Sequence, residues 1–149
     1  MKELTTIAKA ANFTAVDFGK FENLGDYVLQ LGPDVKIPGK VFGGQAVGAT
    51  GGEFSLQSFA PGTETGFLHT HKTHEELYFF LGGQGEFQVD GKTFAVGEGS
   101  VVRVAPEGRR SVRNTGGQPL VMLCVQYRGA TFAADDAADG VILADKVEW

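Results

Sequence analysis

The stretch PGTETGFLHTHKTHEELYFFLGGQGEFQVDG, residues 61–91, decides the fold of this chain and contains all three of its histidines. His69 and His71 stand two residues apart, so in an extended segment both imidazoles project from the same face. A carboxylate on the neighbouring strand, Glu76, can then meet both rings. Two imidazoles and one carboxylate on one side of a cation form the facial triad of non-haem iron and related divalent sites. The stretch therefore predicts a metal site inside a small β-barrel.

Two glutamates and a third histidine lie close to this predicted site. Glu76 shares a strand face with Tyr78 and Phe80, and is therefore the predicted ligand. Its neighbour Glu75 is expected to point outward. His74 falls in the turn and is predicted to lie at the rim, with a role as an additional ligand or general base as the alternative.

Short apolar runs separated by turn residues continue on both sides of the histidines. Turn signals such as Asp90-Gly91 and Pro106-Glu107-Gly108 recur about every 8–12 residues, which is typical of an antiparallel sandwich or barrel. The 22 glycines and 12 phenylalanines suit many short strands joined by tight turns. A short N-terminal helix is predicted over residues 3–11 from apolar residues at helical spacing, which are Leu4, Ile7, Ala8 and Ala11.

One strand of the opening stretch, residues 75–81, is apolar on both faces, as expected of a strand that is buried on both sides. Its second face, formed by Leu77, Phe79 and Leu81, needs a cover from outside the barrel. A partner subunit is the first candidate for that cover and the N-terminal segment is the second. The sequence therefore favours a homodimer.

Composition restricts the class of protein. The chain of 149 residues has a net charge of −5, which argues against nucleic acid or an anionic membrane as a partner. Its one cysteine, Cys124, allows no intrachain disulfide and is predicted to be a small buried apolar residue. No stretch has the apolar length of a membrane span or the pattern of a secretory leader. We therefore expect one cytoplasmic domain over residues 1–149, with a core at about 53–127 and extensions, 1–52 and 128–149, that pack on the barrel or on a partner subunit.

The histidine stretch resembles the first motif of the cupin superfamily, whose members are small double-stranded β-helix (jelly-roll) proteins. That motif runs Gly, a short spacer, His-X-His, three or four residues, Glu, six residues and Gly. This chain has Gly62, His69-Thr70-His71, Glu76 and Gly83, with the first glycine one residue farther from the histidines than usual. The resemblance implies an all-β jelly-roll barrel of the conserved-barrel type, with metal ligands at His69, His71 and Glu76.

The second cupin motif usually supplies a fourth ligand, a histidine between Pro-X-Gly and Asn. Gly99, Pro106-Glu107-Gly108 and Asn114 follow that motif here. The histidine position holds Arg110 or Ser111, depending on the end from which the spacing is counted. The resemblance therefore implies three protein ligands instead of four.

Arg110, if it faces inward, could pair with a substrate carboxylate through two parallel hydrogen bonds. The opposite strand phase would turn Arg109, Ser111 and Arg113 inward, and a solvated strand face is the favoured interpretation for these arginines. Three aromatic side chains would line an apolar lumen that holds a small organic ligand: Tyr78, Phe80 and Phe87.

Three protein ligands leave coordination positions open, which suits a cation that polarises a substrate or activates water or O₂. Fe, Mn, Ni, Zn and Cu all accept these ligands. The sequence thus favours a dioxygenase, isomerase or lyase acting on a small organic molecule, with a carboxylated one as the case that an inward-facing Arg110 would fit. The alternative, favoured by the absent fourth ligand, is a non-catalytic barrel that binds or senses a small molecule. No residue can be assigned a catalytic role from the sequence.

Overall fold

The computed structural model describes residues 2–149 and shows a chain made mainly of short antiparallel β-strands. Short 3₁₀ helices span Phe21–Asp26 and Asp136–Ala138. The remaining elements are, in order, β1 Thr5–Ala10, β2 Phe13–Asp17, β3 Val28–Leu31, β4 Val35–Pro38, β5 Lys40–Phe42, α1 Gly44–Val47, β6 Gly52–Phe59, β7 His74–Gly82, β8 Gln84–Val89, β9 Lys92–Gly97, β10 Val101–Val104, β11 Arg110–Asn114 and β12 Leu120–Arg128.

Two sheets enclose the core. A five-stranded sheet in the order β10-β7-β12-β6-β5 lies against a three-stranded sheet in the order β11-β8-β9. Aromatic rings join the two sheets: the Phe87 centroid is 4.8 Å from that of Tyr78 and 6.2 Å from that of Phe80. Such close aromatic pairs contribute beyond the apolar area they bury. The predicted all-β, double-stranded β-helix fold is confirmed.

Glycines at two turns fix the hairpins next to the histidines. Asp90 and Gly91 both have positive φ, 50° and 80°, which is the backbone of the tight β8–β9 turn that the Asp-Gly pair predicts. Gly83, between β7 and β8, has a φ of 83°, and a Cβ there would lie 2.3 Å from the Pro119 carbonyl oxygen. Only glycine fits that position, so the last residue of the first motif has a steric role.

The register of the large sheet determines which side chains share its inner face. On β12, Cys124 is opposite Tyr78 and Gln126 is opposite Glu76. On the other edge, Lys40 of β5 is opposite Gln57 of β6. Because directly opposed residues project to the same face, polar groups from the edge strand and from the middle of the sheet point into one lumen.

The predicted N-terminal helix is wrong. Residues Thr5–Ala10 form β1, which pairs antiparallel with β2. A helix of this length gains little stability without packing, and every residue of β1 is exposed. Pairing with Phe13–Asp17 instead gives the backbone N–H and C=O groups of β1 hydrogen-bond partners on a neighbouring strand.

The histidines themselves are not in a regular strand, contrary to the prediction. The segment between β6 and β7 runs beside the start of β11 and bonds to it through isolated backbone contacts. The His69 amide donates to the Arg110 carbonyl at 3.3 Å, and the His71 amide donates to the Pro106 carbonyl at 2.8 Å. The segment is still extended, so the reasoning about alternating side chains applies.

The N-terminal part of the chain covers one portion of the outer sheet face. Leu24 and Tyr27 pack there against Leu56 and Val121. On β7, Leu77 and Phe79 are half-buried and Leu81 is exposed. Burial of this face by a partner subunit stays a prediction. Beyond β12, apolar side chains are exposed at Phe132, Val141, Ile142, Leu143 and Trp149.

Within residues 2–149, the structure has no helix that is both long enough and apolar enough to cross a membrane.

Candidate metal centre

The three predicted ligands come together at one end of the lumen. Glu76 projects inward from β7 and is 2% exposed. His71 Nε2 is 3.1 Å from Glu76 Oε1, and His69 Nε2 is 3.7 Å from Glu76 Oε2. One donor atom from each residue lies within 4.8 Å of the other two. The group could therefore hold a metal ion.

One oxygen of the Glu76 carboxylate is fully engaged by the protein. Oε2 accepts hydrogen bonds from Arg110 Nε at 2.9 Å and Nη2 at 2.5 Å, and another from the Tyr78 hydroxyl. Burial by itself would raise the pKa of Glu76, but the interactions with His69, Tyr78 and Arg110 outweigh it and hold the pKa well below its usual range. Glu76 is therefore an anchored anion.

The other carboxylate oxygen, Glu76 Oε1, faces the imidazole of His71, the second predicted ligand. His71 Nε2 is buried and has no hydrogen-bond partner among residues 2–149, although it lies beside Glu76 Oε1. Burial lowers the pKa of His71 against the opposing pull of Glu76, so its imidazole is neutral and offers a lone pair. An orphaned imidazole nitrogen beside a carboxylate oxygen whose one bonded partner is the weakly donating Cys124 thiol fits a divalent cation with mixed nitrogen and oxygen ligands.

Cys124 places a thiol next to Glu76 Oε1. Its S–H donates to Glu76 Oε1 at 3.4 Å, and the side chain is buried, as predicted. Burial, and next the negative charge of Glu76, raise the pKa of the Cys124 thiol. The residue is thus a neutral thiol that contacts Glu76. The apolar sequence around Cys124 did not predict this contact.

Arg110 occupies the place where the second motif would supply a histidine. It faces inward and is 1% exposed, so the strand phase that buries Arg110 is the observed one, and the solvated-face interpretation fails for this arginine. Arg109 and Arg113 are exposed. Besides Glu76, the Arg110 guanidinium contacts backbone oxygens through Nη1: those of Gly108 at 2.8 Å, Pro106 at 3.3 Å and His69 at 3.4 Å.

The neighbours of Glu76 on the other strand face lie outside the cluster. Glu75 points outward, as expected, where it pairs with Arg103 and accepts a hydrogen bond from the Tyr127 hydroxyl at 2.9 Å. His74 is exposed at the first position of β7, and its ring centroid is 6.2 Å from that of His71. The geometry thus keeps His74 at the rim.

A cavity of about 300 Å³ opens beside the cluster. Tyr78, Phe87 and Arg110 of the predicted pocket line it, whereas Phe80 belongs to the core between the sheets. Apolar side chains from the β3–β4 hairpin and the segments around it supply much of the remaining wall, including Leu29, Leu31, Ile37, Phe42, Phe67 and Met122.

The cavity also contains polar residues that the sequence did not identify. Lys40 and Gln57 line it from β5 and β6. Lys40 lies outside both motifs, and its position becomes clear only from the pairing of β5 with β6. Its place in a short stretch between glycines gave no sign of an inward-facing cation.

Comparison with known proteins places these motifs in a family context. A family model described as a cupin domain matches residues 55–126. A crystal structure of a cupin protein from Bacteroides fragilis superposes with a TM-score of 0.66 at 28% identity, and the match covers 77% of this chain and 94% of that one.

Two curated relatives match the same region in part. An uncharacterized protein of Methanocaldococcus jannaschii is 37% identical over 60 residues, which is 40% of this chain and 48% of that protein. An oxalate-binding protein of Thermotoga maritima is 33% identical over 72 residues, covering 48% of this chain and 59% of the relative. The matches thus span only about half of each relative's length.

Proposed function

The chain belongs to the cupin superfamily, and on that premise we propose that it binds one divalent cation at His69, His71 and Glu76. With that cation it acts on a small, carboxylated organic molecule as a dioxygenase, isomerase or lyase. The observation that carries the proposal is the neutral, unpartnered Nε2 of His71, 3.1 Å from Glu76 Oε1. A buried polar atom without a partner is costly, and a cation between these two atoms would remove that cost.

The protein's own residues divide the work of such a site. Arg110 and Tyr78 hold Glu76 Oε2 and so orient Oε1, as hydrogen bonds to a ligating carboxylate do in metal sites. The apolar wall of the cavity excludes water around a bound molecule. The cation, which Fe, Mn, Ni, Zn or Cu could provide, would polarise a substrate oxygen or activate water or O₂.

Metal analysis with matched histidine variants tests this proposal. Protein stripped with a chelator and reloaded with each cation in turn should retain about one equivalent, as an open three-ligand site does. His71→Ala should lose it. His74→Ala, which removes an exposed imidazole of the same segment, should retain it. Equal metal content in the two variants, or none in the unaltered protein, would refute the site.

A non-catalytic binding or sensing barrel is the second candidate. It is favoured by Arg110, whose guanidinium takes the place of a fourth imidazole and already neutralises Glu76. The relative from Thermotoga maritima is named as a binding protein. Incubation of metal-loaded protein with candidate acids, followed by mass spectrometry, separates the two functions. Recovery of the unchanged acid supports binding, and a new product supports the enzyme.

A further inference from the structure

A cation without an anionic partner stands in the cavity wall. Lys40 lies on the edge strand β5 and lines the cavity together with Gln57, its directly opposed neighbour on β6. Ion pairs found among residues 2–149 involve other basic side chains, and Lys40 takes part in none of them. Charged groups are rarely buried unless they are paired. Lys40 is half-buried, and an anionic ligand in the cavity would supply the partner that it lacks.

The Lys40 ammonium lies against an aromatic ring of the cavity wall. Its Nζ lies over the Phe42 ring, 5.4 Å from the centroid, a contact that favours the cation. Burial lowers the pKa of Lys40, while Cys124 and Glu76 act in the opposite direction without offsetting burial. The ammonium is thus partly desolvated, and an anion that enters the cavity would compensate for the lost water.

Its neighbour Gln57 provides hydrogen-bonding capacity at the same place. The residue is 4% exposed, and its side-chain amide makes no hydrogen bond to the protein within residues 2–149. An amide N–H and an ammonium from adjacent strands can both donate to one carboxylate, since opposed residues on a strand pair have Cβ atoms about 4.5–5.5 Å apart. The two side chains therefore form a polar spot in an otherwise apolar part of the wall.

Arg110, the other cation of the cavity, is not available for this role. Its Nε and Nη2 are bound to Glu76, and its Nη1 contacts three backbone oxygens. Drawing it toward a ligand would leave a buried carboxylate unpaired. Lys40 requires no such exchange.

We propose that Lys40 and Gln57 form a carboxylate-binding subsite, which selects small organic acids with an apolar body. The ammonium pairs with the carboxylate and the Gln57 amide donates to it. The hydrocarbon part lies against the walls that Leu29, Ile37 and Phe67 provide. The inference rests on the proposed function only in taking this cavity as the ligand site, because the subsite itself needs no cation.

Calorimetric titration of the metal-free, full-length chain tests the subsite. The probes are acetate, butyrate, hexanoate and benzoate, each paired with its neutral amide. For the best-fitting probe, the acid should bind at least about tenfold more tightly than the amide, or ~1.4 kcal/mol. Lys40→Met should reduce that preference to about twofold or less while amide binding persists, because the apolar cavity is retained.

Two further variants control for charge and for net basicity. Lys40→Arg should keep most of the preference for the acid. Lys36→Met removes an exposed lysine from the neighbouring hairpin strand β4 and should behave as the unaltered protein does. The subsite is refuted if no acid is preferred over its amide, or if Lys40→Met retains the full preference.

The same preparations separate this inference from the metal proposal. A normal metal content in Lys40→Met, with the acid preference lost, supports the subsite and shows that Lys40 is not needed for metal binding. Loss of metal in His71→Ala, with the acid preference kept, shows that the preference for acids does not require the metal. An unaltered protein that prefers acids but retains no metal would overturn the metal site and support the subsite.

Discussion

Replacing Arg110 with methionine should destabilise the metal-free protein by about 3–5 kcal/mol, the range for removing one partner of a buried ion pair. Arg110 and Glu76 are 1% and 2% exposed, so water cannot replace the lost contacts. Two bonds from the guanidinium reach Glu76 Oε2, at 2.9 and 2.5 Å. A bond to a charged group contributes roughly 1.5–3 kcal/mol, and two of them agree with the range for the pair.

Urea unfolding followed by circular dichroism, in the presence of a chelator, measures this cost. The matched control is Arg113→Met on the same strand, whose ion pair with Glu86 is far more exposed, with side-chain exposures of 55% and 33%. Exposed pairs contribute about 0–1 kcal/mol, so the control should unfold near the midpoint of the unaltered protein.

A third variant tests whether the two charges are coupled. Combining Arg110→Met with Glu76→Gln should cost less than the sum of the single changes, because the double variant leaves no unpaired charge inside the barrel. If Arg110→Met were as stable as Arg113→Met, or if the two single costs simply added, the argument that Arg110 neutralises Glu76 would be refuted.

Metal loading should stabilise the fold: at 100 times its Kd a cation adds about 2.7 kcal/mol to the free energy of unfolding, and a thermal melt of His71→Ala should show no such gain. Arg110→His should bind Zn more tightly in competition with a chromophoric chelator, because an imidazole ligand replaces a repelling cation beside Glu76; weaker binding would contradict this. Lys40→Met should raise Tm by roughly 2–4 °C for each kcal/mol gained, because burial lowers the pKa of Lys40 and the variant removes a desolvated charge. That gain should be present at neutral pH, shrink as the pH rises from the lowered pKa of the folded lysine, and vanish above about pH 10, where the lysine is neutral in both states. Light scattering should report a dimer, since Leu81 and Val101 leave an exposed apolar area on the outer sheet face; a monomer would contradict that prediction.

The clustering of the three candidate ligands could be predicted because their spacing is local. His69, His71 and Glu76 lie within eight residues of one another, so the chain between them can reach one point whatever the rest of the fold does. The Asp90-Gly91 turn was predictable for the same reason, since two residues determine its backbone. Neither inference required knowledge of a contact distant in sequence.

The wrong or missing inferences depended on distant pairing. Residues 3–11 carry a weak helical pattern, but their pairing with β2 decides their conformation. The orientation of Arg110 depended on the strand phase, which the spacing left open. Lys40 enters the cavity only because β5 extends the large sheet beyond β6. Propensity and spacing do not contain that information, because sheet register is a tertiary property.

The charges in the lumen connect the two proposed sites. Glu76 carries one negative charge, Arg110 one positive charge, and a protonated Lys40 a second positive charge, while Tyr78 and Cys124 stay neutral because burial raises the pKa of both. The empty lumen is then positive, and a divalent cation at the histidines makes it more so. A bound carboxylate opposes that excess in a low-dielectric interior, where like charges repel strongly. Metal and organic acid should therefore each tighten the binding of the other by the same factor, as linkage requires, and a neutral ligand would have no such effect.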